Sequence, residues 1–483
     1  MTRSFLLSVS IGCSLCFLFG LPTRAADSPA KSDAERLQNL ERAVRQLQER
    51  NSELEDEVRQ LKKREPFAPA LPSTQRTIVP GSDNKAVFSA PTPPTVDVHP
   101  GASEYKLTLG GYIQANFEGG DVAAFEGRFG ATALKDRFRL RRARISLTGD
   151  FAEQFDFKIE GDLEQSDAAI TALKSVNPMT GATTTVTNSN RVEFSGTDIF
   201  INWHRIPEMN LKVGQWKAPF GLENLTPDTL IYTIERSLPT GAIVPERQIG
   251  AMLWGKPLTN AMPDYKDFVT YYGGIFNGNG RNFNNNDNNE FMYVTRLELQ
   301  PWKGMVMGQE ASLKLGGDYF HSRDDAGTNI SPALNLKVNP DGSLSSFTLA
   351  SADERDAFST DIWLKVGPFD LIAEYLEEHV DGREVNGIAP MADFVTNGFY
   401  VQGSYFILPK KLQGVVKWEA LNPGQLGQDG VHSITGGLNY YIHGDNLKVM
   451  ANYVHTWSDF RAAHPDLGDD QFNEVILRLQ VIF

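Results

Sequence analysis

Five arginines lie close together in the chain, and their type and spacing suit the binding of an anion. They fall within eight residues, at Arg137, Arg139, Arg141, Arg142 and Arg144. A guanidinium group presents a planar fork of N–H donors that can give two parallel hydrogen bonds to a phosphate-like anion. Such binding needs no covalent step, so the cluster favours recognition or passage of an anion over catalysis.

The apolar residues within this cluster predict where the arginines point. On the C-terminal side Ile145 sets an apolar phase, so Arg142 and Arg144 fall on the opposite face of a strand. On the N-terminal side the apolar residues Phe138 and Leu140 are even-numbered. The odd-numbered Arg137, Arg139 and Arg141 therefore fall on the same charged face as Arg142 and Arg144. The phase therefore slips between the two adjacent arginines, which predicts a β-bulge or the point where the strand begins. A solvated group of charges at the end of a loop is the alternative.

Three further basic residues are candidates for the same charged surface. Lys212 lies between two apolar residues, which places it on the polar face of its strand. Arg236 and Arg247 lie in a long connection between predicted strands. The alternative for these two arginines is a structural ion pair, for example of Arg236 with Glu235 or Glu223.

Composition and charge argue against several classes of protein. The 483 residues carry 60 acidic and 46 basic side chains, a net charge of −14, which disfavours a basic nucleic-acid-binding protein. Apolar runs of the length that a helical membrane protein requires are confined to the N-terminus. The eight histidines have no metal-binding spacing, and no glycine-rich phosphate loop opens a helix. We therefore expect no enzyme, no cofactor and no metal site.

The N-terminal segment is typical of a secretory signal peptide. Arg3 precedes an apolar stretch over residues 5–21 and small residues suited to cleavage, which predicts a signal peptide over residues 1–26. A transmembrane anchor is the alternative. Both cysteines, Cys13 and Cys16, lie in this segment, so the mature chain would have no disulfide and no cysteine-ligated metal.

A heptad repeat follows within residues 27–64. Its apolar positions recur with spacings of three and four, at Leu37, Leu40, Val44, Leu47, Leu54, Val58 and Leu61, with Asn51 in the remaining seam position. This pattern predicts a parallel coiled coil, and its valine, leucine and asparagine positions favour two strands. A single solvated helix is the alternative. The proline-rich residues 65–104 then predict an extended linker.

From Tyr105 onward the apolar pattern changes to a period of two, which indicates β-strands. We predict sixteen strands, at residues 105–117, 140–151, 155–164, 197–205, 209–217, 250–256, 268–276, 291–300, 311–320, 358–366, 369–378, 398–407, 411–420, 431–441, 446–455 and 472–483. Long and short connections alternate between them, as in a membrane barrel whose hairpins face opposite sides of the bilayer. A sandwich with one face in water is the alternative, but nothing in a sandwich requires this alternation.

The predicted fold is therefore all-β. Residues 105–483 form a 16-stranded antiparallel transmembrane β-barrel, preceded by the short N-terminal coiled-coil helix. The physical reason for closure is that every backbone N–H and C=O in hydrocarbon needs a partner. An even number of strands puts both termini on the side of the short turns, which predicts a periplasmic N-terminal coil.

Several motifs resemble the phosphate-selective porin O and P family. They are FRLRRAR at 138–144, LKVGQWKAPFGLEN at 211–224, ERSLP at 235–239 and GGIFNG at 273–278, and the terminal Phe483 resembles the ending of other outer-membrane barrels. The resemblance covers most of residues 105–483. It implies a trimeric, sixteen-stranded outer-membrane porin whose arginine- and lysine-lined lumen passes phosphate or polyphosphate. The paired arginines that line the constriction in this family match Arg141 and Arg142.

The resemblance leads us to expect passive diffusion of small solutes across the outer membrane, with a preference for phosphate-like anions. The candidate constriction residues are Arg139, Arg141, Arg142, Arg144, Lys212, Arg236 and Arg247. The connection 218–249 follows the fifth strand, the place from which many porins fold a loop into the lumen. Acids on the same predicted face argue against strict phosphate selectivity; they are Asp156, Glu160, Asp162, Glu298 and Asp361.

The expected partners are small anions, outer-membrane lipid and two further copies of the chain in a homotrimer; no nucleic acid is expected.

Two alternative functions remain open from the sequence. One is a general porin without selectivity. The other is a structural protein in which residues 27–64 hold the outer membrane to the cell wall or to a periplasmic partner. A barrel hydrolase would need a nucleophile–base pair near one rim, and the sequence offers none.

Overall fold

The structure is a computed structural model of the chain. It describes residues 105–121, 136–165, 174–176, 183–185, 192–245, 247–282, 284, 286, 288–323, 336–338, 344–346, 352–382, 393–425, 427–463, 465 and 469–483. The signal peptide predicted over residues 1–26, the coiled coil over 27–64 and the linker over 65–104 lie outside these residues.

Sixteen strands form one closed antiparallel barrel, which confirms the predicted fold and excludes the sandwich. The barrel strands are β1 (Tyr105–Gly120), β2 (Arg137–Phe151), β3 (Phe155–Gln165), β6 (Val192–Trp203), β7 (Asn210–Lys217), β8 (Arg247–Gly255), β9 (Val269–Phe276), β10 (Met292–Val306), β11 (Gln309–Arg323), β14 (Ala352–Val366), β15 (Phe369–Gly382), β16 (Phe394–Leu408), β17 (Leu412–Asn422), β18 (Val431–His443), β19 (Leu447–Ser458) and β20 (Gln471–Ile482). Each strand pairs with its neighbour along the barrel, and β1 pairs with β20 to close it.

The remaining elements of the described residues are short and lie in the connections. Two small hairpins form sheets of their own, β4 (Lys174–Val176) with β5 (Thr183–Thr185), and β12 (Leu336–Val338) with β13 (Leu344–Ser346). The helices are α1 (Leu222–Leu225), α2 (Leu238–Ile243), a 3₁₀ turn (Pro263–Tyr265) and α3 (Asp459–Ala463). Among the described residues, no helix has the length and apolar character needed to cross a membrane.

Alternation along the strands separates an apolar outer surface from an interior rich in polar groups. In β1, Leu109 is 54% exposed on the outside, whereas Gln114 is fully buried inside. In β20, Leu477 is 42% exposed and the adjacent Arg478 is 1% exposed. The outer apolar side chains are those that a barrel presents to lipid, and the inner ones surround the lumen.

Several strands are longer than predicted on the side of the long connections. β14 begins at Ala352 instead of residue 358, and β15 ends at Gly382 instead of residue 378. The added residues carry charged side chains on the outer face, such as Asp356, and so lack the apolar alternation that marks the rest of the strand.

Our prediction that a turn begins at Pro301 was wrong. β10 continues to Val306, and its register with β11 shifts between Leu299 and Trp302. Proline cannot donate a hydrogen bond to the neighbouring strand, and the shift accommodates it without ending the strand.

An apolar cluster occupies one side of the lumen, whereas the family resemblance implied a lumen lined by arginine and lysine. Apolar residues of the connection between β7 and β8, including Phe220 and Ile243, pack against inward-facing wall residues. These wall residues are Trp216, Met252, Phe276, Met292, Val294, Phe320, Ala357, Leu376 and Leu421. The cluster removes apolar area from water on both partners and so stabilises the inward position of this connection.

The C-terminal residue contributes to the closure of the barrel. Gly111 N–H donates to the Phe483 carbonyl oxygen at 2.9 Å, and Phe483 N–H donates back at 3.0 Å. A Cβ at Gly111 would lie 2.4 Å from the carbonyl oxygen of Arg144 and 3.0 Å from the Phe483 ring. The close approach of this ring and of β2 therefore leaves no room for a side chain at Gly111.

Gly111→Ala should lower the free energy of unfolding by about 1–3 kcal/mol, because backbone or ring must move to admit the methyl group. Urea titration of tryptophan fluorescence in lipid vesicles measures this change. The control is Gly317→Ala on the outer face of β11, where a Cβ meets no atom within 4 Å. Equal losses in the two variants would contradict the argument.

Candidate functional site

The connection between β7 and β8 crosses the interior of the barrel. Its backbone oxygens accept hydrogen bonds from wall side chains of distant strands: Asp228 O from Gln114 of β1 at 3.1 Å, and Thr229 O from Lys448 of β19 at 2.7 Å. On its other side, Gly221 N–H donates to the Asp318 carboxylate of β11 at 2.8 Å. The segment 218–245, called the lumen loop below, is therefore held by opposite parts of the wall.

Two wall carboxylates accept the first N–H groups of the helices in the lumen loop. Glu374 of β15 accepts the N–H of Leu222 at 2.8 Å and that of Glu223 at 3.1 Å, at the start of α1. Glu419 of β17 accepts the N–H of Leu238 at 3.1 Å, at the start of α2. The first N–H groups of a helix have no partner within the helix, so these carboxylates satisfy donors that would otherwise be buried without one.

Local sequence explains the conformation of the lumen loop. Ser237 is the N-cap of α2 and Pro239 lies in its first turn, both of which favour a helix start. The Glu223 carboxylate accepts hydrogen bonds from the N–H and the hydroxyl of Ser237 at 2.8 and 2.7 Å, and Arg236 Nε donates to the Glu223 carbonyl at 3.1 Å. The motifs GLEN and ERSLP thus contact one another across the loop.

A β-bulge turns all five arginines of β2 to the lumen. Arg142 pairs with Gln114, whereas Leu140 pairs with Ala115, so Arg141 is the extra residue of β2. This is the phase slip predicted from the sequence. The side chains that consequently reach the central cavity are Arg137, Arg139, Arg141, Arg142 and Arg144.

The cavity between the lumen loop and β2 has a volume of about 500 Å³. Among the described residues, its basic lining is Arg137, Arg139, Arg141, Arg142, Arg144, Lys217, Arg236, Arg247, Arg281 and Lys417. Its acidic lining is Glu118, Asp228, Glu235, Glu419 and Glu474. Ten cationic side chains against five carboxylates give this cavity a positive balance, although the whole chain is acidic.

Asp228 of the lumen loop is surrounded by cations. Arg144 Nη1 donates to Asp228 Oδ2 at 2.7 Å, Arg142 Nε lies 3.4 Å from the same oxygen, and Arg236 pairs with Oδ1. The Asp228 side chain is 3% exposed. Burial by itself raises the pKa of Asp228, but the attraction of Arg142 and the other cations outweighs burial and lowers the pKa well below its ordinary value. The surrounding cations therefore favour the ionised form of Asp228.

Glu235 is the second carboxylate of the lumen loop that pairs with arginines of the wall. Arg141 Nε lies 3.1 Å from Glu235 Oε1, and Arg478 of β20 lies 2.8 Å from the same oxygen. Its side chain is 38% exposed, so it faces the cavity more openly than Asp228 does. Burial raises the pKa of Glu235, and the stronger attraction of Arg141 and Arg478 lowers it below the ordinary value.

The other predicted site residues have different surroundings. Lys212 is not among the described residues that line the cavity; its Nζ lies 4.1 Å from the ring centroid of Phe200. Arg247 lines the cavity and donates to Asp198 at 2.6 Å. Arg236 is structurally paired, as the alternative interpretation held, but its carboxylate partner is Asp228 and not a glutamate.

The acids expected in the lumen are paired with cations or polar groups of the wall. Asp162 accepts from Arg144 Nε at 2.7 Å, and Asp361 accepts from Arg296 at 2.8 Å. The set Asp156, Glu160, Asp162, Glu298 and Asp361 contributes nothing to the described lining of the cavity. Asp162 is thus balanced by Arg144 of the arginine cluster itself, whereas Asp361 is balanced by Arg296, which is not among the described lining residues.

Sequence reasoning missed several basic residues of this site. Lys417 lies between Val416 and Trp418, which are 57% and 49% exposed outside, and Arg478 lies between two outward leucines. The same alternation that placed Arg142 could have placed both inside. Arg281 follows β9 in a connection and has no such periodic signal.

The outer face brings together three side chains of types that can ligate a metal, which the sequence did not connect. Potential ligand atoms of His321, Glu354 and Asp356 lie within 4.8 Å of one another, and His321 Nδ1 is 3.1 Å from Asp356. These residues belong to the paired strands β11 and β14. Pairing of strands, and not spacing along the chain, creates this group, and the expectation of no metal site stays a prediction.

Comparisons with known proteins agree with the barrel. The family model of phosphate-selective porin O and P matches residues 109–483. The anion-selective porin from Comamonas acidovorans superimposes with a TM-score of 0.50 at 10% identity, over 79% of this chain and 100% of that one. Two other solved structures are similar at lower TM-scores. A loop L8 deletion mutant of OmpT of Vibrio cholerae gives 0.49 at 11% identity over 79% and 100% of the two chains. The channel DcaP of Acinetobacter baumannii gives 0.46 at 14% identity over 79% and 98%. No curated protein sequence matched.

Glu374→Ala should loosen the lumen loop, because two N–H groups of α1 lose their acceptor, at a cost of about 1–3 kcal/mol. We expect a noisier open channel with a changed unit conductance in single-channel recordings across planar bilayers. Glu377→Ala is the matched control, since Glu377 lies on the outer face of the same strand. Identical recordings from wild type and Glu374→Ala would show that this carboxylate does not anchor the loop.

Proposed function

The chain belongs to the phosphate-selective porin O and P family and is an outer-membrane porin, and from this premise we propose that its lumen favours small, phosphate-like anions. The observation that carries the proposal is the excess of cationic side chains around the central cavity. Five of the ten come from β2 alone, a concentration that the bulge at Arg141 makes possible.

The chemistry of the cavity supports selection by charge without a covalent step. Arginine remains cationic at any physiological pH, and its fork of donors replaces part of the hydration shell of an oxyanion. Several guanidinium groups along one strand provide successive positions for such an anion. Binding spread over several positions favours entry while still allowing the anion to leave.

The net charge of −14 does not oppose this proposal. Charges at the outer surface are screened over about 8 Å at physiological ionic strength, and acids of the lumen wall such as Asp162 and Asp361 are paired with arginines. The field at the narrow part of a pore comes from the groups that line it. The lining of this cavity favours anions.

We further propose a homotrimer with an N-terminal arm. The family supports the trimer. The heptad repeat in residues 27–64 supports a self-associating segment, although its valine, leucine and asparagine positions favour two strands and not three. An even number of barrel strands supports a periplasmic position for this segment. Within this proposal residues 1–26 are removed as a signal peptide, and residues 65–104 separate the arm from the barrel.

Arg141→Gln with Arg142→Gln should reduce the ratio of chloride to potassium permeability by a factor of about 3 or more, because two cations leave a cavity that keeps Asp228 and Glu235. Reversal potentials in a KCl gradient across a planar bilayer measure this ratio.

Two controls separate charge from structure in this experiment. Arg141→Lys with Arg142→Lys keeps both charges and should keep the preference for anions. Lys212→Gln removes a wall cation away from the cavity and should change the ratio less. A wild-type channel that prefers potassium, or a double glutamine variant with unchanged selectivity, would refute the proposal.

Deletion of residues 27–103 tests the role of the arm. If the arm only assists assembly or attachment, purified barrels without it should keep the wild-type unit conductance and ion preference in planar bilayers. Gel mobility without boiling and chemical crosslinking would report the oligomer. Loss of conduction by correctly folded barrels would contradict a separate role for the arm.

A further inference from the structure

Asp228 occupies a place in which an anion would meet four cationic side chains. Arg144, Arg142 and Arg236 pair with its two oxygens, and Lys217 Nζ lies 3.9 Å away. All four cations also line the cavity. The side chains that pair with the loop carboxylate therefore also border the cavity that a permeating anion would enter.

The arrangement around Arg144 shows how the guanidinium is shared. Its Nε donates to Asp162 on the wall at 2.7 Å, while Nη1 donates to Asp228 of the loop at 2.7 Å. Tyr112 adds a hydroxyl hydrogen bond to Asp228 at 3.2 Å. The carboxylate is therefore held by a prebuilt set of donors and is attached to the chain by the lumen loop.

We propose that Asp228 is a resident counter-anion of the pore: it competes with permeating oxyanions for Arg142, Arg144 and Arg236 and so keeps their binding weak. This inference rests on the proposed preference for anions. A cluster of guanidinium groups without a carboxylate would hold a multivalent anion tightly and slow its release, whereas conduction needs binding that is readily reversed. The resident carboxylate also limits repulsion among the clustered cations.

Glu235 fits the same role with a weaker effect. It pairs with Arg141 and Arg478, but 38% of its side chain is exposed, so solvent already screens its charge. Asp228 is 3% exposed and contacts more cations. Removing the charge of Asp228 should therefore have the larger effect on anion binding.

The test is Asp228→Asn, which keeps the shape of the side chain and removes its charge. Chloride current through single channels is recorded while inorganic phosphate is added, and the phosphate concentration that blocks half of the current is measured. We expect this concentration to fall by about tenfold, as removal of one charge close to the binding groups predicts. Glu298→Gln is the matched control, since it removes a lumen acid away from the described lining of the cavity, and it should leave the block unchanged.

Loop position must be measured in the same variants. Protection of the loop from trypsin, judged by cleavage after Arg236, reports whether the loop stays inside the barrel. If Asp228→Asn keeps this protection, an unchanged or weaker phosphate block overturns the inference. If protection is lost, Glu235→Gln carries the same prediction with a smaller shift, and an unchanged block in that variant overturns it.

The failure of the proposed function and the failure of this inference are distinguishable. A cation-selective wild type would refute the proposed function itself. An anion-selective wild type whose phosphate block is unaltered by Asp228→Asn refutes the counter-anion role alone.

Discussion

The complete pairing of backbone groups in the closed barrel is the constraint on which the rest of the structure depends. Because β1 pairs with both β2 and β20, no strand keeps a free edge in the bilayer, and the register of each strand decides which side chains face the lumen. Strict alternation would give every second residue to the lumen. The bulge at Arg141 breaks that rule at one point and lets two consecutive arginines share the inner face.

The interior is divided by the lumen loop into two environments. On one side, apolar residues such as Phe220 and Ile243 pack against the wall and exclude water. On the other side, the loop presents Asp228 and Glu235 to the arginines of β2 and β20. The apolar side fixes the loop through dispersion and burial of area, and the charged side fixes it through ion pairs. The lumen loop thus narrows the pore, and its carboxylates contribute to the charge around the remaining opening.

The sequence was sufficient to predict features that depend on local periodicity. The number of strands, the inward direction of Arg142 and Arg144 and the phase slip beside Arg141 all follow from which neighbours are apolar. Features that depend on contacts between distant segments could not be predicted in this way. Met252 and Phe276 are inward-facing and apolar because they meet the lumen loop, and no periodic pattern encodes that partner. The pairing of Arg236 with Asp228, and the grouping of His321 with Asp356, likewise arise from the fold.

The arginines of β2 consequently have two roles that share the same atoms. Removing a cation from this cluster leaves a loop carboxylate with fewer partners, which costs free energy even when no anion passes. Removing the carboxylate leaves the cations mutually repulsive, while more of their donors become available to an incoming anion. Selectivity and loop position are therefore coupled through Asp228 and Glu235, since a change in the pairing of these guanidinium groups affects both. A variant that keeps the charge but not the fork geometry, such as lysine for arginine, separates the two roles, because attraction persists while the directional hydrogen bonds to the loop are lost.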